Sequence, residues 1–138
     1  MHFDLVDRVV EQTDSRIVTL KAVSNAEEYL QDHFPGFPVL PGVFMIEAMV
    51  QAARRLVETT PALSAHAAPR LVLGGVRAVK YGRFVRPGET LVVDVALHKH
   101  EADTFEFKGQ ATVRGGDGQA VENATAVSGR FTLRPVRC

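Results

Sequence analysis

A helix that is apolar on nearly every side cannot stand alone in water, and this chain contains one. From Gly42 onward, Val43, Ile46, Met49, Val50, Ala53, Leu56 and Val57 recur at helical spacing. Phe44, Met45 and Ala48 fill the gaps between them, and Thr59-Thr60-Pro61 stops the run. Such a helix has to be enclosed by other elements. The candidates lie downstream. Leu91, Val93, Val95 and Leu97 alternate with Val92, Asp94, Ala96 and His98, and Phe105, Phe107, Gly109, Ala111 and Val113 alternate with Glu106, Lys108, Gln110, Thr112 and Arg114. Val127, Gly129, Phe131 and Leu133 repeat the pattern after a turn at Gly115-Gly116-Asp117-Gly118. Leu71 to Arg86 adds a long strand region interrupted by glycines. These segments read as consecutive antiparallel strands with one apolar face. A sheet curled around the helix buries both surfaces at once, which is an α+β architecture.

Upstream of the helix, Leu5 to Val10 and Ile17 to Val23 are short strand-forming runs separated by the turn residues Thr13-Asp14-Ser15. Asn25 with Glu28 has the form of a capping box and predicts a brief helix ending before His33. Pro61 to Arg70 has no periodicity and reads as a surface loop. The 138 residues suit one domain spanning 1–138. Sixteen basic side chains balance sixteen acidic ones, so no global field recruits nucleic acid or an anionic membrane. The one cysteine, Cys138, excludes an internal disulfide and fits a reducing compartment. With no apolar run near the ~18 residues of a membrane span and no signal-like N-terminus, the expected location is cytoplasmic.

The chemistry concentrates between His33 and Gln51. Pro35, Pro38 and Pro41 recur every third residue and hold the segment before the helix extended and stiff. A neutral imidazole at His33 accepts a proton at modest cost and is a candidate general base. Glu47 stands in the second turn of the helix among Phe44, Met45, Ile46 and Met49, an apolar setting that favours the neutral acid and makes it a candidate proton donor. Gln51, four residues on, shares its helical face and can orient the carboxyl. The first N–H groups of the helix lack intrahelical partners, and Gly42 leaves approach to them open, so its N–H is a candidate donor to a carbonyl oxygen. Base, acid and carbonyl clamp together suit removal of an α-proton with loss of a β-hydroxyl. Elsewhere, His98, His100 and Asp94 fall on one outward strand face, but nothing fixes a further ligand, so no metal site is expected. Tyr81, Phe84, Met45 and Met49 are either core or the lining of a tunnel.

The segment HFPGFPVLPGVFMIEAMVQAA, starting at His33, closely resembles the active-site segment of the 3-hydroxyacyl-acyl-carrier-protein dehydratases of the FabZ type. LVDRVVE, RIVTLKAV and KYGRFVRPGETL extend a weaker likeness over most of the chain. The resemblance implies the hot-dog fold, a curved antiparallel sheet wrapped around one central helix, and a reaction that needs no cofactor. It makes His33 the base at the α-carbon, Glu47 the acid for the departing hydroxyl, Gly42 the donor to the thioester carbonyl and Gln51 the group that orients Glu47. It also implies dimers whose sites take histidine and acid from different subunits, often assembled as trimers of dimers. Phe37 stands where the family usually has a second histidine and Asp32 where it has glycine, which leaves room for a role in polyketide or polyene synthesis as well as fatty-acid synthesis. Lys80, Arg83 and Arg86 cluster before Pro87-Gly88 and are candidate contacts for the acidic acyl carrier protein. Competing readings on the same fold are a non-catalytic acyl-binding subunit and an acyl thioesterase.

Overall fold

The computed structural model describes residues 4–23, 40–65, 67, 70–115 and 120–136. Within them, six strands form one sheet: β1 (Arg8–Gln12), β2 (Arg16–Ala22), β3 (Leu71–Tyr81), β4 (Thr90–Glu101), β5 (Thr104–Arg114) and β6 (Ala120–Pro135). The order is β1-β2-β4-β5-β6-β3, and every neighbouring pair is antiparallel. The long helix α1 (Gly42–Thr59) lies against the sheet, followed by a single helical turn, α2 (Pro61–Ser64). This is the hot-dog arrangement.

The alternation in sequence becomes the two faces of the sheet. Phe105, Phe107, Ala111 and Val113 of β5 point inward with Leu91, Val93 and Val95 of β4, and all are essentially inaccessible. Phe107 stacks on Phe131 of β6 at 5.4 Å between ring centres. From the helix come Met45, Ala48, Met49, Val50, Ala52, Ala53, Leu56 and Val57. Burying each large side chain of this set contributes about 1.5–3 kcal/mol. The helix comes close to the sheet at Gly109, where an added Cβ would stand 2.8 Å from Met49 Sδ.

Several sequence expectations change in three dimensions. The enclosure of α1 is incomplete: Val43 is 68% exposed and Phe44 and Ile46 are only partly covered. The first strand starts at Arg8, because the Leu5 amide is drawn to Gln51 Oε1 and that of Val6 to Asp4 Oδ1. The expected loop after α1 begins with α2, where proline fits a first helical turn and Leu63 reaches the core. The strands are not paired in consecutive order. β3 ends at Tyr81 and forms the edge beside β6, and residues 82–89 then carry the chain back toward β4, with Leu40 N–H on the Val85 carbonyl and Val23 N–H on the Glu89 carbonyl. The short helix expected at Asn25 lies outside the described residues. No helix among the described residues is long and apolar enough to cross a membrane.

Candidate active site

Helix α1 opens directly after Pro41, whose extended backbone (φ −59°, ψ 142°) turns the chain into the helix without a side-chain cap. The Pro41 carbonyl accepts the N–H groups of Phe44 at 3.0 Å and Met45 at 3.3 Å. The amides of Gly42 and Val43 precede these bonds and have no partner among the described residues. They are the free donors that a helix N-terminus supplies. The Tyr81 ring lies so near this end that a Cβ on residue 42 would stand 2.7 Å from its Cε1, and a larger residue there would have to push the ring aside. Leu40, Gly42, Met45, Tyr81, Gly82 and Phe84 border a cavity of about 240 Å³. Tyr81 and Phe84 are 54% and 55% exposed, so the cavity's outer wall is apolar and open.

One turn further along α1, the Glu47 carboxylate accepts a hydrogen bond from Gln51 Nε2 at 3.2 Å. Gln51 is itself anchored, since its Oε1 accepts the Leu5 amide at 2.7 Å. Arg54, seven positions beyond Glu47 and therefore on the same helical face, places Nη1 3.8 Å from Glu47 Oε1 and donates from Nε to the Leu71 carbonyl at 3.2 Å. The setting of Glu47 is thus more polar than the surrounding apolar sequence suggests, with its side chain 37% exposed. The apolar neighbours Met45 and Met49 face the core, where a carboxylate one or two positions away does not follow them. The sequence alone assigns Arg54 and Leu5 no part in the site; the i, i+4, i+7 spacing of Glu47, Gln51 and Arg54 is the available signal for the arginine.

The other sequence candidates separate. His33 and Phe37 lie outside the described residues. Arg83 and Arg86 converge on Glu89, which takes Arg83 Nη2 at 2.9 Å on one oxygen and the Arg86 amide at 2.8 Å on the other. Lys80 leaves them and joins the outer face of the sheet with Lys108 and Arg130. Met49 is core beneath Gly109, while Met45 reaches the cavity. A bulge between Leu97 and Lys99 breaks the face that His98 and His100 were expected to share with Asp94. His100 instead stacks on buried Phe105 at 4.4 Å and bonds the Ala102 carbonyl at 2.6 Å. Among the described residues no three His, Cys, Asp or Glu side chains are grouped to hold a metal.

Comparison with known proteins places this geometry. The FabA-like domain family matches residues 1–124. The 3-hydroxyacyl-[acyl-carrier-protein] dehydratase FabZ of Polaromonas naphthalenivorans (strain CJ2) is 42% identical over 110 residues, 79% of this chain and 76% of that protein. The protein of the same name from Aromatoleum aromaticum is 37% identical over 132 residues, 95% of this chain and 89% of the relative. Among solved structures, the dehydratase heterocomplex ApeI:P from Xenorhabdus doucetiae superposes with a TM-score of 0.75 at 21% identity, over 97% of this chain and 84% of that one. The E. coli PaaI protein follows the same fold at a TM-score of 0.65 and 10% identity, over 92% and 81% of the two chains. With a glycine at the helix start beneath Tyr81 and Glu47 held by Gln51, this chain belongs to the FabA-like family of hot-dog proteins.

Proposed function

We propose that the protein is a 3-hydroxyacyl-[acyl-carrier-protein] dehydratase that forms a trans-2-enoyl thioester and water without a cofactor. In this reading His33 takes the proton from the α-carbon, and the electron pair of that C–H bond becomes the new double bond as the β-carbon to oxygen bond breaks. Glu47 gives a proton to the departing hydroxyl, which leaves as water. The Gly42 amide binds the thioester oxygen as negative charge develops there, a contact of the kind worth about 3 kcal/mol in a transition state. Gln51 aims the acid. The observation that carries the reading is the pairing of a free helix N-terminus over a cavity with a carboxyl held one turn away by Gln51. Assembly as a cytoplasmic homodimer or trimer of dimers goes with it, supported by the apolar surface that Val43, Tyr81 and Phe84 leave uncovered beside the site.

A synthetic 3-hydroxyacyl thioester supplies the test. The oligomer is expected to generate the absorbance of a conjugated enoyl thioester, and His33→Ala or Glu47→Gln to lower turnover by at least ~10²-fold. Free thiol without enoyl product would mean hydrolysis, and binding without turnover would mean an acyl-binding subunit. Full activity in a folded His33→Ala protein would remove the assignment of the base.

A further inference from the structure

Arg54 puts a charge where folding gains little from one. It stands seven positions after Glu47 on α1, about 10 Å along the axis and nearly in line with it. Side chains on a helix lean toward its N-terminus, so a long arginine there reaches back toward the carboxyl. The order, acid first and base later, is the one a helix favours. Yet the Arg54 and Glu47 side chains are 34% and 37% exposed, and ion pairs so open to water contribute little to stability.

The guanidinium is nevertheless held in place from its far side. Val136 N–H donates to the Arg70 carbonyl, which makes Leu71 and Pro135 a non-hydrogen-bonded pair of the antiparallel ladder. The Leu71 carbonyl therefore points away from β6, and β3 has no second neighbouring strand among the described residues to give it a donor. Arg54 Nε supplies that donor at 3.2 Å. Because the guanidinium is a rigid planar fork, this bond sets where Nη1 stands, 3.8 Å from Glu47 Oε1. Gln51 is built in the same way: its Oε1 accepts the Leu5 amide, and its Nε2 donates to the same Glu47 oxygen. Two positive groups, each tied to a backbone atom outside the helix, thus converge on Oε1. Oε2 has no hydrogen-bond or ion-pair partner among the described residues.

That asymmetry bears on how the acid works. An oxygen facing an amide N–H and a cation commits its lone pairs to them, and a proton on it would point at positive charge. The transferable proton of a carboxylic acid held this way belongs on Oε2. We infer that Arg54 is a positioning residue for dehydration: anchored on the Leu71 carbonyl, it keeps Oε1 of Glu47 turned toward Gln51 and itself, and so presents Oε2 as the atom that protonates the departing hydroxyl. The inference rests on the dehydratase reading for its reaction and on the chain Leu71–Arg54–Glu47 for its geometry.

The test compares two leaving groups in the full-length protein and its Arg54→Met and Arg54→Lys variants. A 3-hydroxyacyl thioester needs a proton on the oxygen that leaves. A 3-chloroacyl thioester gives the same enoyl product after loss of the α-proton, but its chloride departs with the bonding pair and needs no acid. With the hydroxy substrate, Arg54→Met is expected to lower kcat about tenfold, less than the ~10²-fold expected for loss of the acid itself, with KM within about twofold. With the chloro substrate its kcat stays within about twofold of wild type, since no group has to be aimed at the leaving atom. Arg54→Lys should recover about a third of the lost rate, because an ammonium keeps the charge but not the fork that holds both partners. Thermal unfolding is expected to stay the same in both variants. Equal losses with the two leaving groups, or full dehydration by a folded Arg54→Met protein, would overturn the inference. A second measurement needs no turnover: with glutamate labelled at Cδ by carbon-13, the resonance that Glu47→Gln removes is expected to move in Arg54→Met, and an unmoved resonance would equally overturn it. A wild-type protein that forms no enoyl product would instead remove the dehydratase reading, and the labelled carboxyl would still decide whether Arg54 sets it.

Discussion

Strands β5 and β3 are the same length, eleven residues each, and contrast in almost everything else. β5 pairs on both sides, and its inner positions Phe105, Phe107, Gly109, Ala111 and Val113 are all buried. Among the described residues β3 pairs on one side, shifts register twice, and is exposed along most of its length, including Leu73 and Val76. One strand is dictated by packing. The other carries Lys80 and Tyr81, and the extra residue at Ala78 decides that Lys80 faces out and Tyr81 in. Regularity supplies stability here, and irregularity supplies direction.

Stability measurements can break or sharpen that contrast. Phe107→Ala, which empties the space beneath Phe131, is expected to cost about 3–5 kcal/mol in denaturant unfolding. Next comes Gly109→Val, which forces Met49 away from the sheet and should cost about 1–3 kcal/mol. The smallest and most discriminating comparison is one substitution made in both strands. Ala111→Gly removes a fully buried methyl and adds chain freedom, for a loss of about 1.5 kcal/mol. Ala78→Gly relieves a left-handed φ and is expected to be neutral or stabilising, within about 1 kcal/mol. Equal losses at the two alanines would mean that the bulge is as tightly dictated by packing as the central strand.

What was legible in the sequence follows the same division. The alternation from Leu91 to Leu97 and from Phe105 to Val113 exposes its period directly, and the helix from Gly42 is unmistakable because its apolar residues exceed one face. The helix-borne pair Glu47 and Gln51 was equally readable, since four residues return to the same side. The placement of β3 beside β6 was not, because it depends on residues 82–89 crossing back, a tertiary path that leaves no periodic trace. Bulges are hidden for a related reason. A single unpaired residue inverts everything beyond it, so His98 and His100 part from Asp94, and Lys80 turns outward, without any change in composition. Glu89 was silent as well, although it gathers Arg83 and the Arg86 amide into a closed turn.

The contact between the Leu5 amide and Gln51 has a practical side. Because Gln51 in turn holds Glu47, the aim of the carboxyl is tied to a backbone atom 46 residues away from the glutamine in sequence. A change that tugs on the segment around Leu5 would retune the acid from a distance, and variants that differ only there would disagree in rate while melting alike.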